Sequence, residues 1–199
     1  MFKRFDPDTD VSTSTVVKSS VQRGIKNEIL TSHPNMEEEQ LELLLPKKPP
    51  LMQYKVGPHL MLYCRPPTSE ESVMSDNEPV FFQSRNGPLL PTLRLVHQYP
   101  DIQFNKITVD KGAIPFILGG ANIMCPGLTN VGGEMPGDGD KPGLEKGDGV
   151  VIYAEGKEHA LAVGVMTMSS TTIRSKNKGN GVEVVHFLGD GLFQSAEIS

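Results

Sequence analysis

The chain has 199 residues, 37% of them hydrophobic, and a formal net charge of −5. That length fits one large or two small domains, and no stretch approaches the roughly 18 to 20 apolar residues that span a bilayer. The negative balance argues against attachment to nucleic acid by bulk attraction, and two cysteines, Cys64 and Cys125, are too few for a disulfide framework. Both read as small buried hydrophobes of a reducing cytoplasm. The N-terminus, Met1-Phe2-Lys3-Arg4-Phe5-Asp6, lacks the apolar centre of a secretory signal.

In chain order, a polar arm over residues 6–15 leads to a helix expected to be capped near Ser14 or Thr15, with Val17, Val21, Ile25 and Ile29 at helical spacing. His33-Pro34-Asn35 breaks it, and Asn35 is the expected cap of a second helix. The first turn of that helix carries Glu37, Glu38 and Glu39, which oppose the positive end of its dipole. Leu41, Leu43, Leu44 and Leu45 read as core, and Pro46 ends the helix. Strand-like runs follow at 51–56 and 59–65 around a Gly57-Pro58 turn, then at 80–83. Between them, residues 67–78 read as a mobile acidic surface insertion. Pro91 opens a short helix over 92–98 with Leu93, Val96 and Tyr99 facing inward.

The second half opens on ITVDKGAIPFILGGANIMCPGL, residues 107–128. It predicts a short strand, a helix capped by Asp110, an apolar run at Ala113, Ile114, Phe116, Ile117 and Leu118, a Gly119-Gly120 stop, and a second strand turned by Pro126-Gly127. Two strands are expected at 150–154 and 160–168 around Glu155-Gly156-Lys157-Glu158. A helix from a Ser169-Ser170 cap to Asn177 and a strand at 182–188 complete a small closed or nearly closed β-barrel. Residues 132–149 hold seven glycines and two prolines and read as too polar and flexible to join the core. Of the charges there, Glu134, Asp138, Asp140, Glu145 and Asp148 outnumber Lys141 and Lys146. Acidity is thus concentrated in loops, which leaves folded faces free to carry a basic patch.

No catalytic or metal signature emerges. The five histidines (His33, His59, His97, His159, His186) are scattered, without zinc-ligand spacing, a Gly-x-Ser-x-Gly elbow or a phosphate loop. Glycines 179, 181, 189 and 191 read as turn residues, and Gly-Asp-Gly-Asp at 137–140 lacks calcium-loop spacing. Met124, Met166 and Met168 read as core filling. The helix start at Asp110-Lys111-Gly112-Ala113 has a better claim to a ligand. Backbone amides at a helix N-terminus and a neighbouring lysine favour phosphate, and Gly112 permits close approach. Lys157 and His159 lie at a hairpin tip near the same edge, and Lys176 and Lys178 end the last helix. In the first half, Lys47, Lys48, Arg85 and Arg94 are the basic candidates.

The 107–128 block resembles the opening unit of a PUA domain, an RNA-binding module. Blocks on both sides extend the likeness: MFKRFDP, GIKNEIL, LLPKKPP, GPLLPTLRLVHQYP, AEGKEHALAVGVMTMS and NKGNGVEVVHFLGDGLF. In this order they resemble the malignant-T-cell-amplified-sequence family, whose yeast-type members are called translation-machinery-associated protein twenty. The chain departs from it in the two loops and at Phe193, where the family usually has Trp.

The resemblance implies an α+β protein, with an N-terminal mixed α/β pre-PUA domain at 1–104 and a small PUA-type β-barrel with short helices at 105–199, interrupted by a flexible insertion at 131–149. It implies a non-catalytic, cofactor-free cytoplasmic translation factor that contacts neither membrane nor DNA. Such a factor binds the small ribosomal subunit and a tRNA acceptor end, and acts with a density-regulated protein homologue in reinitiation and post-termination recycling. RNA contacts are expected at Lys111, Gly112, Asn122, Lys157, His159, Lys176 and Lys178, and ribosome contacts at Lys47, Lys48, Arg85 and Arg94. The competing readings are a ribosome-assembly factor of similar plan, a signalling scaffold, and an RNA-modifying enzyme such as a pseudouridine synthase. Only about a hundred residues precede the module, which leaves little room for that enzyme's catalytic domain.

Overall fold

The computed structural model describes residues 1–67, 77–137 and 142–198. The chain forms two compact units, Arg4–Gln103 with Gly191–Ser199, and Phe104–Asp190 with Met1–Lys3. Each unit is completed by a few residues from the opposite end of the chain.

In the first unit a short helix α1 (Pro7–Asp10) leads into strand β1 (Val11–Val16), and helices α2 (Ser19–Ser32) and α3 (Glu38–Leu44) follow. Strands β2 (Met52–Val56), β3 (Leu60–Arg65), β4 (Glu78–Ser84) and β5 (Leu89–Pro91) then join β1 in one antiparallel sheet, ordered β1-β2-β3-β4-β5. Helix α4 (Leu93–Gln98) closes the segment, capped by Thr92, whose hydroxyl accepts from Leu95 N–H. Leu44, Leu62, Phe81, Phe82 and Leu93 are among its fully buried side chains.

Three expectations for this half change. The polar arm is an edge strand paired with β2, so the first helix begins at Ser19 rather than near Ser14. Alternating Ser and Thr with Val favours extended backbone once a partner strand is present. Val21 is then exposed, and Gln22, Ile25 and Ile29 form the buried stripe. The second helix is capped by Glu37 instead of Asn35, in a capping box with Gln40, and Leu43 lies on its solvent side, 59% exposed. Glu78 belongs to a strand, where Arg65 holds it at 2.6 Å. The mobility expected at 67–78 falls largely on 68–76, outside the described residues.

The C-terminal residues form a short helix α8 (Gly191–Gln194, numbered last in chain order). The Phe193 carbonyl accepts from Arg94 Nε at 2.7 Å, and its ring lies under the same guanidinium. Ile198 exchanges two backbone hydrogen bonds with Asn77.

The second unit is a half-barrel sheet ordered β6-β8-β9-β10-β7. Its strands are β6 (Lys106–Val109), β7 (Ile123–Met124), β8 (Gly149–Ala154), β9 (Ala162–Met166) and β10 (Asn180–Phe187). Among the described residues only the β6–β8 pairing is parallel. A 3₁₀ turn (Lys111–Ala113) runs into α5 (Ile114–Leu118), and α6 (Pro126–Thr129) and α7 (Ser170–Lys176) complete the unit. Pro126-Gly127 therefore opens one helical turn rather than a simple reversal. The core gathers Ile107, Val109, Ile117, Ile123, Leu128, Ile152, Ile173 and Val182. The N-terminus joins this unit: Phe2 packs edge-on to His186, and Lys3 Nζ donates to the Gly119 carbonyl at 2.9 Å.

The glycine-rich segment departs from its expected detachment. Met135 and Leu144 are core residues, 5% and 6% exposed. Arg174 on α7 donates to the carbonyls of Met135, Pro136 and Gly137, and Glu134 pairs with Thr108 through two backbone hydrogen bonds. Two apolar anchors and one guanidinium thus overcome an otherwise polar composition; residues 138–141 lie outside the described residues. Leu144→Ala should accordingly destabilise the protein by about 2–5 kcal/mol, the usual range for emptying a buried leucine site. Replacing 132–149 with a short Gly-Ser turn should lower the melting temperature clearly. Unchanged thermal and denaturant midpoints for both variants would show that the segment is not part of the core.

Candidate nucleic-acid interface

Strand β6 runs parallel to β8, and their pairing ends at Val109–Ala154. This brings the helix start that follows β6 beside the β8–β9 hairpin, with the Glu155 amide donating to the Val109 carbonyl. Asp110 fixes the local geometry. One carboxylate oxygen accepts from Ala113 N–H at 3.0 Å, and the other accepts from the Asn130 amide at 3.1 Å. The 3₁₀ turn, α5 and α6 are thereby braced by one side chain.

Lys111 is exposed and reaches Glu155 at 3.9 Å across the hairpin, a distance and exposure at which an ion pair contributes little. Its stem passes close to Gly156, so Lys111 and the tip carrying Lys157 and His159 share one edge, with all three exposed. Gly112 is exposed, and a Cβ there would stand 3.0 Å from the capping oxygen of Asp110. A side chain at this position would press on the cap itself. Asn122 accepts from Val184 N–H at 3.1 Å through its carbonyl oxygen, so its amide donors are what remains for a ligand. Lys176 and Lys178 are exposed at the end of α7; the Lys178 carbonyl accepts from Cys125 Sγ and the Gly179 carbonyl from Cys125 N–H.

One residue of the expected apolar helix run and one methionine read from the sequence as core filling complete the surface. Phe116 is 68% exposed and Met124 51% exposed. They line a cleft of about 520 Å³ with Asp110, Gly112, Ile117, Asn122, Ile123 and Asn180. A helix of five residues cannot bury its whole apolar run, and Ile117 alone points fully inward. Met166 does fill the core, and Met168 packs against it. The cleft offers a π-face, a soft thioether and a rim of amides, which is equipment for stacking and edge recognition.

In the first unit, Lys47 and Lys48 are exposed beyond α3, and Arg85 is exposed between β4 and β5. Arg94 differs from these, since its guanidinium is held by Phe193. Among the described residues no cluster of three or more potential metal ligands occurs, and no helix is long and apolar enough to cross a membrane. His186 and Asp190 form a fully buried pair at 2.9 Å, with Asp190 also accepting from Phe187 N–H; such a pair braces the end of β10 and has no access to a substrate. Burial with a nearby Glu78 pushes the Cys64 thiol far up, which leaves it an inert core residue.

Family models match in two blocks, a Pre-PUA-like domain at residues 5–100 and a PUA domain at 105–188. Translation machinery-associated protein 20 of Schizosaccharomyces pombe is 43% identical over 195 residues, covering 98% of both chains. The Malignant T-cell-amplified sequence 1 homolog of Drosophila melanogaster is 44% identical over 199 residues, covering 100% of both. The chain belongs to this family. Among solved structures, the hypothetical protein PH0734.1 of Pyrococcus horikoshii superposes with a TM-score of 0.67 at 20% identity, over 92% of this chain and 99% of that one; at that identity it shows a shared fold.

At the PUA edge the capping carboxylate and the exposed lysine differ in what they do for stability. Asp110→Ala should cost about 1 kcal/mol through loss of the cap, read as a lowered melting temperature. Lys111→Glu should leave melting unchanged, because only a weak exposed pair is lost. A large drop for Lys111→Glu would place that side chain in the structural frame instead.

Proposed function

We propose that this chain is a non-catalytic, cytoplasmic translation factor that binds RNA through the PUA cleft and the small ribosomal subunit through basic residues of both units. The observation that carries the reading is the exposed Phe116–Met124 cleft lined by Gly112 and Asn122, with the exposed Lys111 next to Gly112 in the chain. It stands in a family whose relatives are named as associated with the translation machinery. The ligand that fits is the unstacked acceptor end of a tRNA. Phosphate contacts from Lys111, Lys157 and the Gly112 backbone set its register, and a terminal base stacks on Phe116 while Asn122 meets its edge. Lys176 and Lys178 extend the cationic border. Lys47, Lys48 and Arg85 supply long-range attraction to the subunit. The protein then acts by positioning, in reinitiation and post-termination recycling, together with a density-regulated protein homologue.

Phe116→Ala should weaken binding of a tRNA with an intact acceptor end by on the order of 1–3 kcal/mol, the range of one base–aromatic stack, without lowering the melting temperature. Lys111→Glu should weaken it too, and less so as salt rises. A tRNA lacking its single-stranded end should bind wild type and Phe116→Ala alike. Equal affinity of all variants for the intact tRNA would remove the cleft from the model.

A further inference from the structure

A second cleft, of about 350 Å³, lies in the first unit and is lined by Ser19, Gln22, Arg23, Lys26, Glu42, Lys47 and Lys48. Four cations face one carboxylate there. The α2 contributors fall at i, i+3, i+4 and i+7, one stripe of the helix, next to the stripe that buries Ile25 and Ile29. Lys26 is the unusual member. Its side chain is only 13% exposed, its ammonium contacts Glu42 at 2.8 Å, and among the described residues it finds no other acceptor. An ammonium carries three donors, and donors shielded from water call for acceptors. At the mouth of the same cleft, α2 begins at Ser19 without a side-chain cap and without an acidic residue in its first turn. Its free amides and dipole therefore add to the positive field unopposed. That field holds the Glu42 carboxyl below its usual range, through the hydrogen bond from Lys26 and the charges of Lys26 and Lys47, against the opposing effect of desolvation.

We propose that this cleft is a phosphate site that takes a phosphodiester of an RNA backbone, with Arg23, Lys26, Lys47 and Lys48 as its cations and Glu42 as the carboxylate that the RNA displaces. The proposal rests on the RNA-binding reading above and gives the first unit a contact of its own. The lining favours a nucleic-acid backbone over a phosphorylated protein segment: every residue in it is polar or charged, its apolar surface is that of their stems, and no aliphatic or aromatic residue is there to seat flanking side chains. Cations spread along a groove suit a repeating phosphate chain.

The test uses the full chain and a blunt-ended RNA hairpin, which has no single-stranded end for the PUA cleft. Lys48→Gln and Lys26→Gln should each weaken hairpin binding several-fold at low salt and flatten the logarithmic salt dependence by about one unit per cation removed. Glu42→Gln should tighten binding, because the competing carboxylate is gone. Lys48 is exposed, so Lys48→Gln should keep the wild-type melting temperature, and Glu42→Gln leaves an amide oxygen to accept from Lys26, so both variants remain informative even if Lys26→Gln unfolds. Phe116→Ala should bind the hairpin normally. Folded Lys48→Gln and Glu42→Gln proteins with wild-type affinity and salt slope would overturn the site, while leaving acceptor-end binding by the PUA cleft intact. A phosphoserine peptide that displaces the hairpin at comparable concentration would assign the cleft to a phosphoprotein and overturn the RNA assignment. A wild-type protein that binds neither RNA would remove the RNA-binding reading and this site with it.

Discussion

The cleft-bearing face of the second unit depends on one carboxylate. Asp110 accepts from the amide of Ala113 and from the side chain of Asn130, and it follows the last pair of the parallel β6–β8 ladder. A five-residue helix has no stability of its own, so α5 holds its orientation because its start is tied to the sheet and its Ile117 is sunk in the core. The same constraint leaves Phe116 outside. An exposed phenylalanine on an isolated short helix would be a liability; on a braced one it is a fixed platform.

Charge is organised locally in this molecule rather than globally. The net charge is negative, yet the cleft in the first unit sets four cations against one carboxylate, and Lys111 and Lys157 share an edge of the second. Interactions between exposed charges decay over a Debye length of about 10 Å at 0.1 M salt. Net charge thus constrains long-range attraction and says little about a contact made at hydrogen-bond distance.

Each unit borrows from the far end of the chain. Phe2 and Lys3 pack on His186 and Gly119 of the second unit, and the Phe193 and Ile198 segment attaches to Arg94, Asn77 and Tyr54 of the first. A cut between the two sequence blocks would remove a buried phenylalanine from one unit and a buried isoleucine from the other. Phe193 places a ring under the Arg94 guanidinium, a contact that needs only a π-face.

The family, the α+β class and the Asp110 and Ser169 caps were legible in the sequence because they rest on local chemistry. A cap needs only its own side chain and an amide three residues on. Block order likewise survives without coordinates. The tertiary structure decided what depends on a partner distant in sequence. Residues 11–16 became a strand because β2 was there to pair with them. Met135 and Leu144 entered the core because Arg174 gathered three carbonyls of their loop. Phe116 and Met124 stayed exposed because a two-residue strand and a one-and-a-half-turn helix have only one inward side. Lys26 and Arg23 joined Lys47 and Lys48 in one cleft because α2 packs beside the end of α3. Hydrophobicity and charge are properties of single residues, whereas burial and juxtaposition belong to pairs, and pairs separated by tens of residues are fixed only when the chain closes on itself.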